Sequence, residues 1–364
     1  MWSVGLHHSF INLKYLIDMK STTIKDIAEA LGISVATVSR ALTDSYEIKP
    51  QTREKVLETA RKMKYKPNLL ARNLKKNSNN LIGVIVPEII TSYFPELIIG
   101  IQEIFNPLGY QVLICQSGES SALERKNVEM LENQQVEGMI VSVSKESKNI
   151  DLYKRLIDEG MPIVFANRVI DELEAPKVVI DDRQWAYNAT EMIIKHGYRR
   201  VAHLAGNFNL AITKQRLEGY LQALDAYKIP IDERLVMYVG IQQEQAKIGV
   251  RYLLSLKERP DAIFCVNDPI AIGAMLELKE RGIRVPEDIA IVGFTESPTG
   301  KVLGLSSVAQ PTFEMGRTAA TMLLNRIKNP LLEVAETIVL DAKLIIRKDT
   351  LIKKKSSAFM AGDD

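Results

Sequence analysis

This chain of 364 residues is short of cysteine, of long apolar runs and of the loops that hold cofactors. Only Cys115 and Cys265 occur, each closing a short apolar run, Val112-Leu113-Ile114 and Ile263-Phe264. Two thiols so placed read as core residues in a reducing compartment, and not as a disulfide framework, metal site or nucleophile. No apolar run reaches the ~18 to 20 residues that a membrane span requires. A basic leader followed by an apolar core and a small-residue cleavage site is also missing, so a cytoplasmic protein is expected. Enzyme signatures are as sparse. There is no glycine-rich phosphate loop after the first strand-like run, no nucleophile elbow and no cluster of metal ligands, so no catalytic residue, cofactor or metal is expected. Of the four histidines, His7 and His8 lie near the start, and His196 and His203 flank one apolar run.

Charge is scarce in sum but not in distribution. The whole chain carries +2. Residues 20–77 hold 13 Lys and Arg against 6 Asp and Glu, so the remainder from Ser78 is net acidic. A basic head on an acidic body suits a nucleic-acid-binding domain joined to a separate module, although a solvated basic face gives the same count.

The head is organised around residues 23–42. Ile24, Ile27, Ala28 and Leu31 recur at helical spacing, and Gly32 supplies a left-handed stop. Ser34 can cap a second helix whose Val38, Ala41 and Leu42 pack back on the first. Two short helices joined by a tight turn have the helix-turn-helix form, with the second helix placed to read DNA; an ordinary helical hairpin has the same spacing. Pro50 suits the first position of a third helix over 51–63, closed by Val56, Leu57 and Ala60. Residues 65–67 break it, Asn68 can cap a short helix over 69–74, and 75–80 form a polar linker. Residues 1–18 fit nothing downstream, and Met19, just before the helix-turn-helix, is expected to be the real start.

From Leu81 the pattern changes to short apolar runs alternating with amphipathic stretches. Runs at 81–86, 112–115, 138–143 and 163–166 form one block; after 178–180, runs at 201–204, 235–239, 262–266 and 289–292 form a second. Repeated β-α-β units mean parallel sheets covered by helices, and two blocks mean two similar lobes. A ligand of such sheets sits at the carboxyl ends of the strands, here between the lobes.

Several stretches then carry a resemblance: Thr23-Ile-Lys-Asp-Ile-Ala, Val38-Ser-Arg-Ala-Leu42, Tyr65-Lys-Pro-Asn, Leu70-Ala-Arg-Asn-Leu74, Leu81-Ile-Gly-Val-Ile-Val-Pro, His196-Gly-Tyr-Arg-Arg-Val-Ala, Arg216-Leu-Glu-Gly-Tyr, Val266-Asn-Asp and Val285-Pro-Glu-Asp-Ile-Ala-Ile-Val-Gly-Phe294. In order and spacing they resemble the lactose/galactose repressor (LacI/GalR) family of bacterial transcription regulators, from Thr23 to about residue 350. The resemblance implies an all-α helix-turn-helix head and an α/β body of two doubly wound parallel-sheet lobes, like the periplasmic binding proteins. It implies a homodimer on a pseudo-palindromic operator, whose affinity is set by a small effector in the cleft, and action as a repressor. Val35, Ala36 and Arg40 would then read bases, as arginine pairs with guanine and small apolar groups meet a thymine methyl. Thr23, Ser34, Thr37 and Ser39 would contact phosphates, though Thr37 and Ser39 also suit local caps. Asn68, Ala71, Leu74 and Lys75 would belong to a hinge helix whose leucine wedges into a central CG step from the minor groove.

In the body, Tyr93, Phe94, Asn167, Arg168, Arg216, Asn267, Thr295 and Gln310 match effector contacts. After Gly293-Phe294 the family usually has an acidic residue for ligand hydroxyls, and Thr295-Glu296 stands here instead. A threonine cannot chelate a diol as a carboxylate does, so charged or modified sugars or another small metabolite stay open beside a simple sugar. The domains are read as 1–18 leader, 19–66 head, 67–80 hinge and linker, 81–350 body and 351–364 disordered tail. Within the body the first lobe takes 81–180 and 311–335, and the second takes 181–310 and 336–350. The tail has no leucine heptads, so a dimer is expected. Two other classes fit parts of the chain: a transport-type binding protein, from the body alone, and an enzyme built on the two lobes. The basic head speaks against the first, and the missing catalytic motifs against the second.

Overall fold

The computed structural model describes residues 22–42, 47–65, 79–145, 147–330 and 335–352. The expected leader 1–18, Met19, the hinge positions Asn68, Ala71, Leu74 and Lys75, and the tail beyond residue 352 lie outside the described residues. The chain divides into two units, Met1–Ser78 and Asn79–Asp364.

Among the described residues the first unit has three helices, α1 (Ile24–Leu31), α2 (Val35–Leu42) and α3 (Pro50–Lys62). Thr23 and Asp26 form a reciprocal capping box at the start of α1, and Gly32 ends it in the left-handed conformation at φ 63°. The Ser34 hydroxyl accepts the Thr37 N–H at 3.0 Å and so caps α2. Ile27, Ala28, Val38, Ala41, Val56 and Ala60 form one buried core, with Ile24, Leu31 and Leu42 packed at its edge. Such a core is small, and every helix contributes to it, so no pair of these helices is an independent hairpin.

Among its described residues the second unit holds two six-stranded sheets. In chain order its elements are β1 (Leu81–Val86), α4 (Tyr93–Phe105), β2 (Gln111–Gln116), α5 (Ser121–Asn133), β3 (Gly138–Val141), α6 (Ile150–Asp158), β4 (Ile163–Ala166) and β5 (Lys177–Ile180). Then follow α7 (Asp182–Lys195), β6 (Val201–Ala205), α8 (Ala211–Ala226), β7 (Val236–Tyr238), α9 (Ala246–Ser255), β8 (Ala262–Cys265), α10 (Asp268–Glu280) and β9 (Ala290–Thr295). The last are α11 (Pro298–Val302), β10 (Ser306–Ala309), α12 (Thr312–Lys328), β11 (Thr337–Leu340) and β12 (Lys343–Ile345). The strand orders are β11-β5-β4-β3-β1-β2 and β12-β10-β9-β8-β6-β7. All recorded pairings are parallel except β10 with β12. The central strands are buried along their length, as strands covered on both faces must be.

Helices approach closely where glycine allows it. A Cβ on Gly219 of α8 would fall 2.1 Å from the Arg183 carbonyl oxygen of α7, and one on Gly316 of α12 would fall 2.0 Å from that of Leu97 on α4. No side chain fits at either crossing, so each glycine sets how near its two helices lie.

Three expectations need correction. β11 pairs with β5 in the first sheet, Thr337 opposite Lys177, so the stretch from 336 does not belong wholly to the second lobe. The chain crosses between lobes three times: after β5, after β10, and between β11 and β12. Leu351 is 1% exposed within the core, so the body extends past 350 and the tail does not begin there. Asn79 and Asn80 are not free linker, because Asn80 donates its N–H to Glu137 at 2.6 Å and Asn79 reaches the Gln135 carbonyl at 3.2 Å. Polar linker-like composition hid a strand cap. Both cysteines are unpaired and buried, as their apolar flanks implied.

Candidate functional site

On the head, burial of Val38 and Ala41 turns one face of α2 outward. Ser34, Val35, Ala36 and Arg40 are exposed together on that face. Arg40 pairs with Glu47 at 3.4 Å, an exposed pair of little energetic weight that a stronger anion can displace. Of the hydroxyls expected to touch phosphates, Thr23 is engaged in the capping box, and Thr37 is bonded to Ser34 at 2.8 Å. Ser39 is half-buried. The hydroxyls therefore fix the helix ends first; a phosphate would share them.

In the second unit the carboxyl ends of β1, β4, β8, β9 and β10 and the first turns of α4 and α8 line a partly open cavity. Tyr93, Phe94, Asn167, Arg168, Arg216, Asn267, Thr295 and Gln310 all line it. Eight residues scattered over more than two hundred positions thus meet in one place.

Tyr93 and Phe94 are buried and packed edge to face, with centroids 5.2 Å apart. Burial holds the Tyr93 phenol far above its ordinary pKa, so it is a neutral wall; its hydroxyl donates to the Met315 sulfur at 3.3 Å. Arg168 donates to both Glu119 carboxylate oxygens, at 2.8 and 2.9 Å, and its guanidinium carbon lies 5.8 Å from the Phe94 ring centre. Its Nε is buried and makes no hydrogen bond. Asn167 takes a left-handed φ of 65° at the turn out of β4, which asparagine tolerates better than most residues.

Arg216 is the most constrained group. It is 4% exposed, and its Nε and one terminal nitrogen bind Asp182 Oδ1 at 2.7 and 2.6 Å. The other terminal nitrogen donates to the Val266 carbonyl, and the guanidinium lies 3.7 Å from the Phe294 ring centre. Burial pushes the Asp182 carboxyl above the usual aspartate range, and the guanidinium pulls against that rise. Arg216 thereby ties α8 to the first residue of α7, just past the first crossover, and to the end of β8.

Asn267 caps α10 by accepting the Ile270 N–H and donates to the Ile241 carbonyl, both at 2.9 Å. Gln310, at the second crossover, donates to the Thr295 hydroxyl at 3.3 Å, while its Oε1 is buried without a partner. Thr295 and Glu296 have φ of 143° and 65°, a strained bend for non-glycine residues. The bend sends Glu296 out of the cavity to Arg347, at 2.6 Å. The acidic group next to Thr295 therefore does not replace the missing one.

Sequence reasoning missed Glu88 and Thr213, which line the cavity, and Asp182 behind it. Thr213 is one helical turn before Arg216 on the same face, a signal that was there to use. Asp182 opens the polar first turn of α7, Asp182-Arg183-Gln184, which gives no sequence sign of burial. His203, read as flanking a strand, lies within β6, fully buried between Tyr220 and Phe264. Desolvation lowers its pKa to about 4, so it is a neutral core ring.

Comparison with known proteins agrees with this architecture. Residues 23–68 match the model for bacterial regulatory proteins of the lacI family, and residues 79–348 match that for periplasmic binding proteins and the sugar-binding domain of the LacI family. The chain is 33% identical over 334 residues to the HTH-type transcriptional repressor CytR of Escherichia coli, covering 91% of this chain and 96% of that protein. It is 31% identical over 311 residues to the HTH-type transcriptional repressor PurR of Vibrio atlanticus, covering 84% and 92%. Among solved structures, the transcriptional regulator CelR–cellobiose complex superposes with a TM-score of 0.69 at 27% identity, covering 90% of this chain and 99% of that one. With a helix-turn-helix head and a two-lobed body each matched along its length, the chain belongs to the LacI family of bacterial transcription regulators.

Proposed function

We propose that this regulator is a repressor that binds a pseudo-palindromic operator as a homodimer and that a sugar or related metabolite in the interlobe cavity sets its affinity for DNA. The observation that carries the reading is the meeting of eight dispersed side chains in one cavity at the strand ends of both lobes. Tyr93 and Phe94 offer apolar faces to a ring; Asn167, Arg168, Arg216, Asn267, Thr295 and Gln310 supply hydrogen bonds. The CelR complex contains cellobiose, which supports a carbohydrate-like ligand for this cavity too.

On the head, Val35, Ala36 and Arg40 are assigned to base edges, and Thr23, Ser34, Thr37 and Ser39 to phosphates. Asn68, Ala71, Leu74 and Lys75 are assigned to the minor groove at a central CG step. Three crossovers join the lobes, so a ligand that binds one lobe arrangement better than another shifts their populations. Its leverage is limited to that difference in affinity.

The test measures operator binding of the full chain by fluorescence anisotropy at fixed salt, with sugars, glycosides and nucleosides added in turn. A ligand that shifts the operator Kd for the wild type but not for Asn267→Ala supports the reading. A shift that persists unchanged in that variant would place the ligand elsewhere.

A further inference from the structure

Among the described residues three charged side chains line the cavity: Glu88, Arg168 and Arg216. Both arginines are already matched, Arg168 by Glu119 and Arg216 by Asp182. Matching removes their net charge but not all their N–H groups. The Arg168 Nε is buried without a partner, and the terminal nitrogens of Arg216 each carry a second N–H beyond those given to Asp182 and Val266. The Arg216 terminal nitrogens thus keep N–H groups for a neutral ligand oxygen.

Glu88 differs. It is 9% exposed, and its carboxylate accepts the backbone N–H groups of Ile90 and Thr91, at 2.6 and 2.8 Å, and the Thr91 hydroxyl. Among the described residues no Lys, Arg or His nitrogen lies within 4.0 Å of it. The cavity wall and its partners therefore hold three carboxylates against two guanidinium groups. An anionic ligand would give up its water, meet an unmatched carboxylate, and find no unmatched cation to repay the loss. A hydroxyl-bearing ligand meets donors on Arg216 and an acceptor on Glu88.

We infer that the cavity selects an effector bearing no phosphate or carboxylate, such as a polyol, glycoside or nucleoside, and that Glu88 sets this preference. The inference rests on the cavity being the effector site. It narrows the range left by Thr295, from which charged sugars are now removed.

The experiment is equilibrium dialysis of the full-length protein against a pool of bacterial metabolites below about 1 kDa, with mass spectrometry of what is retained. Wild type, Asn267→Ala and Glu88→Gln are compared. The expected result is a non-anionic ligand enriched by the wild type and lost in Asn267→Ala. Its phosphorylated derivative should bind the wild type at least about tenfold more weakly, and that ratio should shrink in Glu88→Gln. A phosphorylated or carboxylated ligand that depends on Asn267 overturns the charge inference and leaves the cavity reading standing. Retention of nothing, or retention indifferent to Asn267→Ala, counts against the cavity itself, and the inference falls with it.

Discussion

Removing the Arg216 guanidinium tests the energetics of the site most sharply. In Arg216→Ala the Asp182 carboxylate, 3% exposed, loses both bonds at 2.6 and 2.7 Å and stays buried. Breaking one side of a buried ion pair costs about 3 to 5 kcal/mol, because a charge is left without compensation. For a unit of this size that is a fall in Tm of roughly 6 to 20 °C. The double variant Asp182→Ala/Arg216→Ala leaves no orphaned charge, so it should lose much less than the sum of the two single changes. The pH dependence has a definite sign. Burial already raises the Asp182 pKa, and loss of the guanidinium raises it further. A carboxyl whose folded pKa lies above its unfolded one stabilises the fold below that range and loses this as pH rises. The deficit of Arg216→Ala should therefore shrink on acidification from pH 7 to 5. Thermal melts of the three variants and the wild type across that range provide the measurement. Additive losses, or a deficit independent of pH, would refute the claim that the pair acts as a buried, coupled unit.

Other outcomes follow from the same geometry. His203 has a folded pKa of about 4 against an ordinary 6.5, so stability falls as pH drops through that interval. His203→Phe should flatten this slope, worth about 3 kcal/mol at most, in denaturant titrations between pH 7 and 4; an unchanged slope would exclude the histidine as its source. Gly219→Ala forces a Cβ against the Arg183 carbonyl and should destabilise the second unit by about 1 to 3 kcal/mol, read by calorimetry. Arg40→Ala should remove sequence preference while leaving weak, salt-sensitive DNA binding; an unaltered operator Kd would take Arg40 out of the reading set.

Much of this was legible in the order of residues. Alternating apolar runs located the central strands because strands covered on both faces must be apolar throughout. Gly32 and Ser34 marked their helix ends because left-handed caps and hydroxyl caps demand those residue types. Helix starts were legible less well. The first turn of α7, Asp182-Arg183-Gln184, is polar, and nothing in it shows that Asp182 is buried, which is why Asp182 was missed. β11 could not be assigned to its lobe, since a four-residue edge strand has no periodicity that tells one sheet from the other. The eight cavity residues came from resemblance, and only three-dimensional structure showed which of their hydrogen bonds are already spent. Asn267 and Arg216 prove to be as much part of the frame as of the lining.

The central claim is that the head reads a two-fold DNA sequence under control of the body. It is tested most directly by selecting bound DNA from a random pool with the full chain at fixed salt. The account predicts enrichment of a pseudo-palindrome with a central CG step, loss of its half-site preference in Arg40→Ala, and a change in its affinity when the dialysis ligand is added. Enrichment of no sequence over the pool, with and without that ligand, would contradict it.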